Sequence, residues 1–196
     1  MTILSATLLL LLVIDPFGNV PFFLAALRTV DPSRHRIVVI RELLIALVAL
    51  VAFLFAGRFL IDVIQISEPS LTVAGGVILF LIAVRMVFPS SSSRIEVSFE
   101  GEPFIVPLAI PFFAGPSALA VVLLITNREP ERRLEWLLAV FLAWLISSVI
   151  LYLASELKRF LGDRGLVALE RLMGMVLIAV AVQMLMAGVT QFVRGI

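Results

Sequence analysis

Six apolar windows, at roughly residues 3–27, 38–60, 71–88, 104–126, 134–155 and 172–192, constrain this chain more than any other feature. A bilayer core takes about 20 mostly apolar residues per helix, and each window reaches or approaches that length. The chain has 196 residues, 62% of them hydrophobic and 15% charged, so little remains between the windows for a separate soluble domain. The expected product is an all-α membrane protein, a single integral domain over residues 1–196, with membrane lipid as its surroundings. A net charge of +1 supplies no broad basic face for phosphate, which argues against nucleic acid as a partner.

The chain contains no cysteine and a single histidine, so disulfides, thiolate chemistry and Cys/His metal sites are all excluded. No cofactor or metal is expected beyond a coupling ion, H+ or Na+. Residues 4–14 match a signal-peptide core in length, but no positive charge precedes them and Asp15-Pro16 stands where small residues would mark cleavage. The segment is read as a retained first helix.

Arginine and lysine are held on the cytoplasmic side, and their distribution orients the chain. Ten of the fifteen fall on one side if the N-terminus is outside: Arg28, Arg34, Arg36, Arg41, Arg85, Arg94, Lys158, Arg159, Arg164 and Arg171. The prediction is a multi-pass protein of the cell inner membrane with both termini outside. The connections "RTVDPSRHR", "NREPERR" and "KRFLGDRG" read as short polar turns. The longest polar stretch, residues 89–103, divides the chain into triplets of about 1–88 and 104–196 and reads as a tether.

An internal repeat supports that division. Residues 76–86, "GVILFLIAVRM", match residues 174–184, "GMVLIAVAVQM", at five of eleven positions with an offset of 98, and Pro16 falls on Pro116 at an offset of 100. Each half has three spans, and an odd number forces the second half to enter from the opposite face. The expected architecture is six transmembrane helices in two inverted three-helix repeats, with helices 1 and 4 broken at mid-membrane.

Those breaks carry the chemistry. "DPFGNVP" places Asp15, Pro16, Gly18, Asn19 and Pro21 inside an apolar run. Each proline removes a backbone donor and obstructs the preceding turn, and Gly18 tolerates conformations other residues avoid. Backbone groups freed at that depth must face protein or a water-filled cavity, and an acid inside a span points to function. Asp15 also suits capping of the half-helix that follows, and the two roles are compatible. In the fourth window Pro107, Pro111, Ala114, Gly115 and Pro116 repeat the pattern without charge, and Ser117 adds a hydroxyl. Paired broken helices mark a mid-membrane binding site: a resumed half-helix suits a carboxylate and exposed carbonyls suit an ammonium group or a metal ion. The combination fits a small zwitterion. The plain alternative is that the prolines and glycines only kink packed helices.

Arg85 and Gln183 occupy matching repeat positions and could gate or pair, though a snorkelling Arg85 is the simpler reading. Arg41 and Glu42 open the second helix, as an intramembrane pair or as boundary residues. His35 reads as solvated, Gly75 and Gly76 as close-packing positions, Trp136 as an interfacial anchor and Trp144 as buried packing.

"DPFGNVPFFLAAL", "AGGVILFLIAVRMVF", "VPLAIPFFAGPSAL" and "RLMGMVLIAVAVQMLMAGV" together resemble the MarC family of integral membrane proteins, a neutral amino acid transporter family within the LysE superfamily. The resemblance covers essentially the whole chain. It implies six spans in two inverted triplets and transport of small neutral amino acids such as glycine and alanine. Its elements fall on Asp15, Pro16, Gly18, Asn19 and Pro21, and on Pro111, Ala114, Gly115 and Pro116. Ser117 departs from the family, where glycine is common, and adds bulk beside the site.

The leading expectation is therefore a secondary transporter working by alternating access on a small-molecule solute, with small exposed helix faces compatible with a homo-oligomer. The rival is a membrane scaffold or regulatory subunit with no transported solute. An intramembrane enzyme is disfavoured: the chain has no His-Glu metal pattern, no cysteine nucleophile and no second intramembrane acid expected beside Asp15.

Overall fold

The computed structural model describes residues 1–27, 30–65, 67–88, 109 and 113–194. Seven helices order these residues: α1 (Ile3–Ile14), α2 (Pro16–Ala26), α3 (His35–Ile64), α4 (Glu68–Val87), α5 (Pro116–Arg128), α6 (Arg133–Tyr152) and α7 (Ala154–Arg194). Among the described residues five stretches are long and apolar enough to cross a membrane, and α5 is a shorter apolar helix. Apart from Ala109, the first half of the fourth expected span, including Pro107 and Pro111, lies outside the described residues, as does the whole polar stretch at 89–103.

The starts of these helices follow local chemistry. Thr2 and Ser5 form a reciprocal capping box at the head of α1, and the Ser67 hydroxyl accepts from the Ser70 amide at the head of α4. Asp31 accepts from the Ser33 amide and hydroxyl in the 3-10 turn that leads into α3. The fifth loop is short: two helical stretches of α7 meet at a kink at Gly162, whose φ of 66° and ψ of 174° belong to a region open essentially to glycine.

α1 packs against α5 and α6, α3 against α5 and α6, and α4 against α5 and α7. The core is made of Ala, Leu, Val and Phe side chains, while many large apolar residues such as Val48, Phe59 and Met186 point outward, as lipid contact demands. The α4–α7 seam is the tightest. A Cβ on Gly76 would lie 3.1 Å from the Ala181 carbonyl and 3.1–3.2 Å from Leu185; one on Gly174 would lie 3.1 Å from the Ala83 carbonyl and 2.9 Å from Val87. The helices are antiparallel there, and the two contact sets exchange under the offset of 98 that relates residues 76–86 to 174–184.

A polar clasp gathers one end of the bundle. The Met1 ammonium meets Glu129 at 2.8 Å, Arg132 donates to the Met1 carbonyl at 2.7 Å and pairs with Glu129 and Glu135, and its guanidinium sits 4.6 Å from the Trp136 ring centre. Trp136, expected as an interfacial anchor, is instead buried under Arg132 and donates its indole N–H to the Glu129 carbonyl at 2.9 Å. Trp144 is a packing residue that also donates to the Leu43 carbonyl at 2.7 Å. His35 Nε2 lies 2.9 Å from the Val30 carbonyl rather than being wholly solvated.

Candidate functional site

α1 stops at Asp15, which has φ 46° and ψ 65° in the left-handed region. Most residues avoid that region, and Asp enters it more readily than most because its short polar side chain bonds locally. Here the Asp15 amide still closes α1 onto the Leu11 carbonyl, while Asp15 Oδ1 accepts the Gly18 amide at 3.1 Å and so caps α2. Pro16 takes the first position of α2, where its missing donor costs nothing. Asn19 donates its side-chain amide to the Ile14 carbonyl at 2.7 Å, satisfying a group that the break would otherwise leave bare. Pro21 lies inside α2 without ending it, so the interruption is confined to one residue.

Gly18 leaves room for two neighbouring side chains. A Cβ there would collide with the Asp15 carboxylate and with the Met86 methyl of α4. Met86 in turn packs on Gly174 of α7, and Glu170 stands one turn earlier on the same helix. Glu170 is partly buried and lies within electrostatic range of Asp15. Glu170 precedes the last apolar window and lies near the start of the long helical stretch Arg164–Arg194.

The second break is built differently. The Ala114 amide reaches five residues back to the Ala109 carbonyl at 2.8 Å, a wide π-type turn, and Gly115 then runs extended (φ −72°, ψ 163°) before Pro116 opens α5. Gly115 is the N-cap and offers no side-chain acceptor to the first turn. Ala114, Gly115 and Ser117 are buried, and Pro116 borders an apolar cavity of about 270 Å³ walled by Phe53, Gly75, Ile78, Leu119 and Ala120. Asp15 and Gly115 correspond at an offset of 100, so one half-helix carries its own carboxylate cap and the other does not.

The two breaks lie at one depth. α1 and α5 run antiparallel from the Met1–Glu129 clasp and pack against each other. They are 12 and 13 residues long, which at 1.5 Å per residue puts both breaks about 18–20 Å from that clasp. The carbonyl end of α1 and the amide end of α5 therefore face the same layer.

Of the remaining candidates, Arg85 and Gln183 are both exposed on outward faces, with no hydrogen bond between them among the described residues. Arg41 and Glu42 do pair: the Arg41 Nε and Nη2 donate to Glu42 Oε1 at 3.1 and 3.0 Å. Glu42 is fully buried within the bundle.

These features define a multi-pass helical membrane protein with a polar break in its first span and a second, uncharged one at the start of α5. The sequence matches the MarC family integral membrane protein description over residues 1–193, and the chain belongs to that family. It is 43% identical over 194 residues to UPF0056 inner membrane protein YhgN of Escherichia coli (strain K12), covering 98% of each chain. A UPF0056 membrane protein of Buchnera aphidicola subsp. Schizaphis graminum is 42% identical over 98% of each chain. One from Chlamydia pneumoniae is 30% identical over 96% of this chain and 94% of its own. No solved structure matches the chain.

Proposed function

We propose that this protein is a secondary transporter that carries small neutral amino acids, such as glycine and alanine, across the cell inner membrane, coupled to H+ or Na+. The observation that carries the reading is the unlike pair of helix breaks at one depth. The amide end of α5, with glycine as its cap, suits the carboxylate of the solute. The Asp15 carboxylate and the carbonyl end of α1, with Glu170 within range, suit its ammonium group. Ser117 and the crowded backbone around Gly18 favour a small side chain.

Alternating access in such a chain rests on two inverted triplets, with both termini outside. The exchange of contacts between Gly76 and Gly174 across antiparallel helices is what a two-fold axis in the membrane plane would produce, and it supports that arrangement. Uptake of radiolabelled glycine and alanine into proteoliposomes under imposed proton and sodium gradients tests the proposal. Gradient-driven uptake that falls at least about tenfold in Asp15→Asn is expected, a loss equivalent to about 1.4 kcal/mol. Full uptake at unchanged affinity in that variant would remove Asp15 from the mechanism.

A further inference from the structure

Glu42 is the most deeply buried acid among the described residues, at 0% exposure. Its Oε1 takes both donors from Arg41, and its Oε2 has no hydrogen-bond partner. Three hydroxyls among the described residues share that condition: Thr7 of α1, and Ser147, also fully buried, and Ser148 of α6. Hydroxyls in apolar helices ordinarily donate to the carbonyl four residues back, as Thr126 does to Val122 at 2.8 Å and Thr190 to Met186 at 2.7 Å. The two serines do not.

Two contacts fix the register of α3 against α6. Arg36 lies 5.9 Å from the Tyr152 ring centre, and Trp144 donates to the Leu43 carbonyl, so the helices are antiparallel and residues 36–43 face residues 144–152. Glu42, Ser147 and Ser148 all fall within this stretch, and Trp144, Ser147 and Ser148 share one face of α6. Each bare buried oxygen is unfavourable in an apolar interior, and three oxygens of hard-donor type in one seam call for a common electropositive guest. One carboxylate, already half-engaged by Arg41, is too little negative charge for a divalent ion.

The geometry points to a monovalent cation site, for sodium, held by Glu42 Oε2 and the hydroxyls of Ser147 and Ser148. It is separate from the solute site and stands whether or not the chain carries amino acids.

The test is thermal unfolding of the purified full chain in NaCl against choline chloride at equal ionic strength. Sodium is expected to raise the wild-type Tm saturably by roughly 3–6 °C, with the shift lost in Glu42→Gln and in Ser147→Ala and kept in Asp15→Asn. Should Glu42→Gln fail to fold, Ser147→Ala, a small change, carries the test, with equilibrium binding of radioactive sodium as the second readout. Equal stabilisation by sodium and choline in the wild type would overturn the proposal and leave the seam hydrated, as would a sodium shift that survives in both seam variants. Loss of amino acid uptake with sodium binding intact would count against the transporter reading alone.

Discussion

The proposed function gives Asp15 a second role beside its cap, and substitution can divide the two. Asparagine caps a helix about as well as aspartate, so Asp15→Asn should leave stability within about 0.5 kcal/mol while removing the charge proposed to meet the solute. Asp15→Ala loses the cap as well and should cost roughly 1–2 kcal/mol, read as a lower Tm beside the same transport defect. Gly18→Ala should also impair transport, because its Cβ would displace the Asp15 carboxylate. Adding Met86→Ala relieves only the second collision and should not restore uptake. The first break was legible because Asp, Pro, Gly and Asn cluster in an apolar run, and their combination admits few straight-helix solutions. Glu170 was not legible, since it sits just before the last apolar window and only the packing of Gly174 on Met86 turns its face toward Asp15. The burial of Glu42 was hidden for a similar reason: nothing in one strand of sequence says which side of α3 meets α6.

At the scale of elements, the α4–α7 seam and the Gly162 break obey different physics. Gly76→Ala and Gly174→Ala each push a methyl against a neighbouring backbone carbonyl, so both should destabilise, by about 1–3 kcal/mol, despite alanine's better helix propensity. Gly174→Ala should be the worse, having closer contacts. Gly162→Ala meets nothing within 4 Å, and its cost of roughly 1–3 kcal/mol should come from the backbone conformation alone. Leucine at the same position should therefore cost no more than alanine, whereas at Gly76 it should cost much more; melting curves of the four variants check both statements. The glycines of α4 and their repeat partner were readable as close-packing positions because small residues are what let apolar helices approach. The glycine punctuation of residues 158–165 was readable too, and Gly162 is where the two helical stretches of α7 part; that the kink takes so little chain was not, since the charged residues there suit helix and turn alike.

For the whole molecule, the clasp at Met1, Glu129 and Arg132 joins the adjoining ends of α1, α5 and α6 and so sets the two breaks at a common distance from it. The Met1 ammonium and then Arg132 hold the Glu129 carboxyl below the usual carboxylate range. A folded-state pKa below the unfolded one stabilises at pH above the unfolded value, and that contribution is lost as pH falls through the folded value. The Tm of the wild type should therefore drop on acidification below the ordinary carboxylate range, and Glu129→Gln should show a shallower drop. Because the pair is exposed, the difference will be small. The family and the all-helical, multi-pass membrane class were legible from length, hydropathy and the two proline-rich elements. The alignment of the breaks was not, because it depends on equal helix lengths measured from a clasp whose members lie 128 residues apart in the chain.

The central claim is that the site recognises both charges of a small zwitterion, one at each break. Competition against radiolabelled alanine uptake in proteoliposomes tests it most directly, with glycine, alanine methyl ester and propionate as unlabelled competitors. Glycine should compete fully, while the ester, which lacks the carboxylate, and propionate, which lacks the ammonium group, should compete at least about tenfold more weakly. Equal competition by the ester or by propionate would contradict the account.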